Sequence, residues 1–123
     1  MAALKRELGD WGEEKAVNYL RWRGWHIVER NFSCRLGEFD IIASRFNVLA
    51  FVEVKLRRDD SHGEAREFVT IHTQRRIAAT AAFYLAGRDT ELQPRFDVIE
   101  VYAPQGKDTL RPRFNHIPNA FEL

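Results

Sequence analysis

The chain has 123 residues with a hydrophobic share of 45% and 12% aromatics, enough to build one core, so a single folded unit over residues 1–123 is expected. Acidic and basic residues nearly cancel at a net charge of +1, which argues neither for nor against a polyanionic partner. Cys34 is the one cysteine, which excludes an intramolecular disulfide and a single-chain cysteine cluster for zinc or iron–sulfur; no apolar run approaches the roughly 20 residues of a membrane span, so a cytoplasmic protein without a membrane partner is expected.

In chain order, Leu4, Leu8, Trp11, Ala16, Val17 and Leu20 recur at three- and four-residue steps and predict an amphipathic helix from Lys5 to Trp22, with Gly24 as its C-cap. Short strands follow over His26 to Phe32 and Gly37 to Ala43, and Ser44 to Asn47 reads as a hairpin loop. Val48 to Lys55 is almost continuously apolar until its last three residues, the pattern of a central strand buried on both faces. Polar Leu56 to Glu67 is expected as a loop, Thr70 to Ala86 as a second helix closed by Gly87, Arg95 to Tyr102 as a fourth strand, and Phe114 to Ile117 as a short edge strand. The order α-β-β-β-α-β, with an added final strand, belongs to an α/β fold in which one sheet is flanked by helices.

The charged end of the central strand is the anomaly. Side chains alternate across a strand, so Glu38, Asp40 and Ile42 share one face, as do Phe51, Glu53 and Lys55. A four-residue hairpin loop makes the two faces coincide and sets Asp40 within about 4.5 to 8 Å of Glu53. Two carboxylates so close on apolar strands repel each other unless a cation lies between them or one is protonated. Hard oxygen donors with waters suit Mg²⁺ or Mn²⁺, which keep positions open for a phosphate oxygen and an attacking water. Arginine is used fifteen times and lysine only four, so Lys55 on this face is a choice: a point charge able to hold an attacking water or stabilise charge at phosphorus. Glu13 falls on the apolar face of the first helix, beside Gly9, Gly12 and Ala16, from where it can reach the same ion directly or through water. Singly, each of these residues has an ordinary structural reading, such as a cross-strand salt bridge for Glu53 and Lys55. Converging on one site, Asp40, Glu53 and Glu13 read as metal ligands, and with Lys55 as the catalytic set.

Gly12-Glu13, Arg30-Asn31, Gly37-Glu38-Phe39-Asp40-Ile41-Ile42, Phe51-Val52-Glu53-Val54-Lys55, Arg75-Arg76 and Arg95-Phe96-Asp97-Val98-Ile99 appear in an order that resembles the YraN family. The likeness covers all but about the last twenty residues. It implies a restriction-endonuclease-like αβββαβ core with a mixed central sheet flanked by helices, similar to archaeal Holliday-junction resolvases. In such a core Glu13, Asp40, Glu53 and Lys55 match the helix glutamate, hairpin aspartate and Glu-x-Lys of a predicted nuclease. The family often carries lysine where this chain has Gln74, an amide that cannot supply charge.

Arg57, Arg58, Arg75 and Arg76 lie beside the expected site and could grip the phosphates of a nucleic acid, DNA in the first place; Arg35 is a further candidate. Trp11, Trp22, Trp25 and Phe46 are expected in the core or at its rim rather than as base-stacking residues. The leading expectation is a DNA phosphodiesterase acting at branched structures, the preference for branches resting on the resemblance. A symmetric homodimer would suit a four-way junction. The alternative is an inactive nucleic-acid-binding module with a nuclease fold, and a third reading is a scaffold.

Overall fold

The computed structural model describes residues 2–59 and 70–123, with side chains from Leu4 onward. Helix α1 runs Ala2–Trp22 and buries Ala16, Val17 and Leu20 completely or nearly so, as the helical spacing requires. Gly24 ends it at φ +86°, a left-handed conformation that costs glycine nothing, and Trp25 N–H donates back to Leu20 O at 3.0 Å. Strands β1 (His26–Cys34), β2 (Gly37–Arg45) and β3 (Val48–Arg57) form an antiparallel meander. Helix α2 (Ile71–Ala86) then crosses to β4 (Gln93–Tyr102), which runs parallel to β3, a connection that adjacent parallel strands need. A short 3₁₀ turn at Gly106–Asp108 leads into β5 (Arg113–Phe121), antiparallel to β4. The sheet is mixed and its order is β1-β2-β3-β4-β5, as expected of an αβββαβ core with one strand added.

Each face of the sheet has its own core. Ile41, Ala43, Ala50, Val52, Ile99 and Val101 pack with α1, whereas Ile42, Leu49, Phe51, Phe96 and Val98 pack with Ala81 and Tyr84 of α2. Strand β4 is buried from Phe96 to Tyr102 and feeds both cores, Phe96 and Val98 on one face and Ile99 and Val101 on the other. Two acidic residues are nevertheless fully buried there. Asp97 is held on the α1 side by Arg95 Nε at 2.8 Å, His116 Nε2 at 2.8 Å and the Asn119 amide at 3.0 Å. Burial by itself would raise its pKa, but these partners outweigh burial and hold the carboxyl below its usual range.

Several boundaries differ from expectation. α1 begins about one turn earlier, β3 continues through Leu56 and Arg57, and β5 extends well beyond Ile117 as an edge strand that accommodates exposed Pro118. The β2–β3 hairpin loop is shorter than four residues: Arg45 pairs with Val48, leaving Phe46 and Asn47 at the tip, with Phe46 at φ 54°. Phe46 and Trp22 are each 90% exposed, so neither packs in the core, whereas Trp25 does at 4%. Most of the loop expected over Leu56 to Glu67 lies outside the described residues. Among the described residues no helix is long and apolar enough to cross a membrane.

Candidate functional site

The hairpin tip holds an even number of residues, so the faces of β2 and β3 coincide after all. Ile41↔Val52 is the last regular pair of the β2–β3 ladder, and Asp40 and Glu53 are the next residues on the two strands. The regular ladder stops there, because Asp40 Oδ2 accepts the Val54 amide at 2.7 Å in place of a backbone carbonyl. Strand β2 also changes face at this point. Phe39 and Ile42 both join the α2-side core while Ile41 joins the other, so strict alternation is broken between residues 39 and 42. The neighbouring strand matches the break: Asn31, across from Asp40 between the pairs Arg30↔Ile41 and Phe32↔Phe39, adopts φ 56°. Arg30 consequently turns to α1 and Phe32 to α2.

Asp40 thus occupies a step in the sheet, between groups that come from both faces. Glu13, 8% exposed, approaches on the α1 side, where Arg30 Nη2 lies 3.4 Å from its Oε1 while Arg30 Nη1 bonds Glu14 at 2.9 Å. Glu53 and Lys55 stand on the α2 face with Lys55 Nζ 3.4 Å from Glu53 Oε1. Desolvation, reinforced by the negative charges of Glu13, Glu53 and Glu38, raises the Asp40 pKa to about 6 against the opposing Val54 hydrogen bond. All four expected residues therefore gather at this step, although Glu13 and the Glu53–Lys55 pair belong to different layers. Among the described residues no three acidic, histidine or cysteine side chains converge into a ready-made metal cage.

The α2 face offers a cleft of about 480 Å³ lined by Glu38 and Glu53, by Arg35 at the β1–β2 turn, and by Thr73, Arg76 and Thr80 of α2. Arg76 thus reaches the site's surroundings from the second helix. Thr70 caps that helix, its hydroxyl accepting the Thr73 amide at 3.2 Å. The turn docks closely on α2 because Gly37 carries no side chain: a Cβ there would lie 2.6 Å from Thr80 Oγ1. Arg75 is exposed, Arg58 is exposed immediately after β3, and Gln74 is half-buried on the first turn of α2.

One group beside the site was missed in sequence. Glu100, in register with Lys55, is fully buried on the α2 face and accepts bonds from Arg57 Nε at 3.0 Å, Asn115 Nδ2 at 2.8 Å and Tyr102 OH at 3.3 Å. The acidic residues Asp97 and Glu100 inside the otherwise apolar Phe96–Tyr102 run were the available signal, since a buried carboxylate needs partners.

Comparison with known proteins agrees with the resemblance in the motifs. The family model described as "Uncharacterised protein family UPF0102" matches residues 12–101, a span that includes Glu13, Asp40, Glu53, Lys55 and Glu100. A UPF0102 protein of Caldanaerobacter subterraneus subsp. tengcongensis is 44% identical over 118 residues, covering 95% of this chain and 96% of its own. Another, of Syntrophotalea carbinolica, is 44% identical over 124 residues, covering 100% of this chain and 98% of its own. A third, of Myxococcus xanthus, is 39% identical over 121 residues, covering 98% and 93%. With a model matching most of the chain and relatives matching nearly all of it, this protein belongs to UPF0102, the YraN family.

Proposed function

We propose that this protein is a metal-dependent phosphodiesterase acting on nucleic acid in the cytoplasm, DNA in the first place, with Asp40 and Glu53 as ligands of Mg²⁺ or Mn²⁺. The observation that supports the reading is Asp40 bonded at 2.7 Å to the amide of Val54, the residue after Glu53, with its pKa raised to about 6 by burial and by neighbouring carboxylates. Arg30 and Lys55 lie against Glu13 and Glu53, yet the carboxylates together still disfavour a charge on Asp40. Hard carboxylate oxygens, part-buried but open to solvent at Glu53, fit a divalent ion that keeps several waters, and the absence of a ready-made three-acid cage among the described residues is compatible with two protein ligands.

When bound, the ion supplies Lewis-acid polarisation of a phosphate oxygen and a more acidic water. The residues do the remainder. Asp40 is fixed by the Val54 amide, so its second oxygen is oriented without a rotamer search. Lys55, 45% exposed at its side chain and paired to Glu53, can hold an attacking water through its ammonium or neutralise charge that builds on phosphorus. Glu13, held by Arg30, completes the acidic surround from the α1 side. The resemblance to Holliday-junction resolvases favours branched DNA and a homodimer that spans it.

The test is cleavage of labelled duplex, single-stranded, flapped and four-way DNA with Mg²⁺ or Mn²⁺, using repurified protein and an EDTA control. Wild type should cut, Asp40→Asn and Lys55→Ala should each lose at least about 100-fold, and Glu13→Gln about 10-fold. Equal cutting by wild type and Lys55→Ala would sink the assignment. A second reading, a binding module that has lost turnover, draws support from Glu13 and Glu53 already being paired to Arg30 and Lys55. It predicts DNA binding that survives Asp40→Asn and no cutting with any metal.

A further inference from the structure

On the α2 face, three rows of side chains cross β3, β4 and β5 in register. Glu53, Val98 and Ile117 make the first, Lys55, Glu100 and Asn115 the second, and Arg57, Tyr102 and Arg113 the third. Successive rows are separated by two residues, about 6.6 Å along the strands. The third row is organised by its neighbours. Arg57, 19% exposed at its side chain, is tied through Nε to the fully buried Glu100, and Arg113 stacks on the Tyr102 ring with its guanidinium carbon 3.9 Å from the centroid. Tyr102 OH in turn donates to Glu100 at 3.3 Å.

A carboxylate wholly removed from water is expensive to keep, and replacing it with an apolar residue is often neutral or stabilising. Glu100 gathers donors from three strands, and what it fixes is an arginine two residues beyond Lys55 on the same face. The bond from Arg57 engages Nε and leaves the terminal nitrogens as the part of the fork that can meet a planar or tetrahedral oxyanion. The exposed Arg113 brings a second guanidinium to the same row.

We propose that Arg57 and Arg113, positioned by Glu100 and Tyr102, form a phosphate-binding shelf for a nucleic-acid strand, holding the phosphodiester next to the one that lies at Asp40, Glu53 and Lys55. The location of the neighbouring phosphate rests on the phosphodiesterase reading, but the shelf itself is a binding site and does not need turnover. A phosphodiester chain is favoured over a free phosphate because the row continues a line that begins at the acidic site, and a strand places phosphates repeatedly along such a line. Arg57 and Arg113 touch the ligand; Glu100 acts through Arg57 and is a positioning residue.

The experiment measures binding of a fluorescent single-stranded 12-mer of DNA to the Lys55→Ala protein without added metal, over a salt series, with inorganic phosphate as the second probe. Arg57→Ala and Arg113→Ala, each added to that background, should weaken the DNA complex about 5- to 10-fold and reduce the salt slope by about one phosphate each. Arg21→Ala, at an exposed position on α1, should change it less than 2-fold. Glu100→Gln separates positioning from charge counting. Its amide leaves either Arg57 Nε or Asn115 Nδ2 without an acceptor, so positioning predicts weaker binding by about 3-fold or more, whereas loss of a negative charge alone predicts tighter binding.

Circular dichroism and the melting midpoint verify that each variant is folded. Should Glu100→Gln fail to fold, the two arginine variants and Arg21→Ala still decide the matter. Unchanged DNA affinity in both arginine variants, or an equal loss in Arg21→Ala, overturns the shelf while leaving the cleavage assay free to support the phosphodiesterase. Conversely, a shelf that binds in a wild type that never cuts upholds this proposal and removes the catalytic one. Competition by inorganic phosphate at concentrations equal to those of the 12-mer would overturn the strand in favour of a free anion.

Discussion

At the level of single residues, Asp40 carries the strongest electrostatic signature in the site. Its folded-state pKa of about 6 lies above the ordinary 3.8, so the fold favours the protonated form. The resulting contribution is fully favourable below about pH 4 and is lost as pH rises through about 6, leaving a net cost at neutral pH. Asp40→Asn should remove that cost, because an amide oxygen can still accept the Val54 N–H while carrying no charge. In EDTA at pH 7.5 the variant is expected to be more stable than wild type by about 1–2 kcal/mol, the full shift being reduced by the solvent that reaches a half-buried group. At pH 4 the difference should vanish. Urea unfolding at the two pH values checks this, and a variant that is less stable at pH 7.5 would show that Asp40 holds the sheet together rather than straining it. A site stabilised by deleting one of its acids is what a function retained at the expense of stability looks like.

At the level of elements, the approach of the β1–β2 turn to α2 is set by Gly37. Placing a methyl group there, 2.6 Å from Thr80 Oγ1, demands movement of a buried side chain whose hydroxyl is already bonded to Arg76 O at 2.8 Å. Gly37→Ala should therefore destabilise the protein by about 1–3 kcal/mol, and a double-mutant cycle with Thr80→Ala should recover part of the loss. Gly12 is also tight, at 2.9 Å from a Leu56 methyl, but a side-chain tip can swing aside and the same change should cost less there.

Much of this element-level arrangement was legible beforehand. Helical spacing, Gly24 and Gly87 bounded both helices closely, and the parity of the hairpin tip, though not its length, brought the Asp40 end of β2 beside the Glu53–Val54 end of β3. The step at Asn31 and Asp40 was not, because alternation is a local rule and the break depends on two paired strands twisting together. The buried Asp97 and Glu100 were passed over for a related reason. Each is satisfied in part by partners from β5, Glu100 by Asn115 15 residues away and Asp97 by His116 and Asn119 19 and 22 residues away, and such pairings follow from strand register rather than from spacing within one strand.

For the molecule as a whole, the position of the proposed site would tie ion binding to global stability. Asp40 lies where the α1 and α2 layers meet through β2 and β3, and it feels Glu13 from one layer and Glu53 from the other. A divalent ion bound there, as proposed, would replace mutual repulsion by shared attraction in the folded chain, and the unfolded chain has no equivalent arrangement. Stabilisation then follows mass action: at a free ion concentration ten times its Kd it amounts to about 1.4 kcal/mol, which for a chain of this size raises the melting midpoint by about 4–6 °C. Mn²⁺ or Mg²⁺ should produce that rise in wild type at pH 7.5, a smaller one in Glu13→Gln and none in Asp40→Asn. The rise should shrink towards pH 5, where protons compete for Asp40. Differential scanning fluorimetry across a metal titration measures all of these without requiring a substrate. No shift in wild type at millimolar ion would remove the metal from the site and leave the acidic step as a structural feature. A shift that persists in Asp40→Asn would move the ion elsewhere.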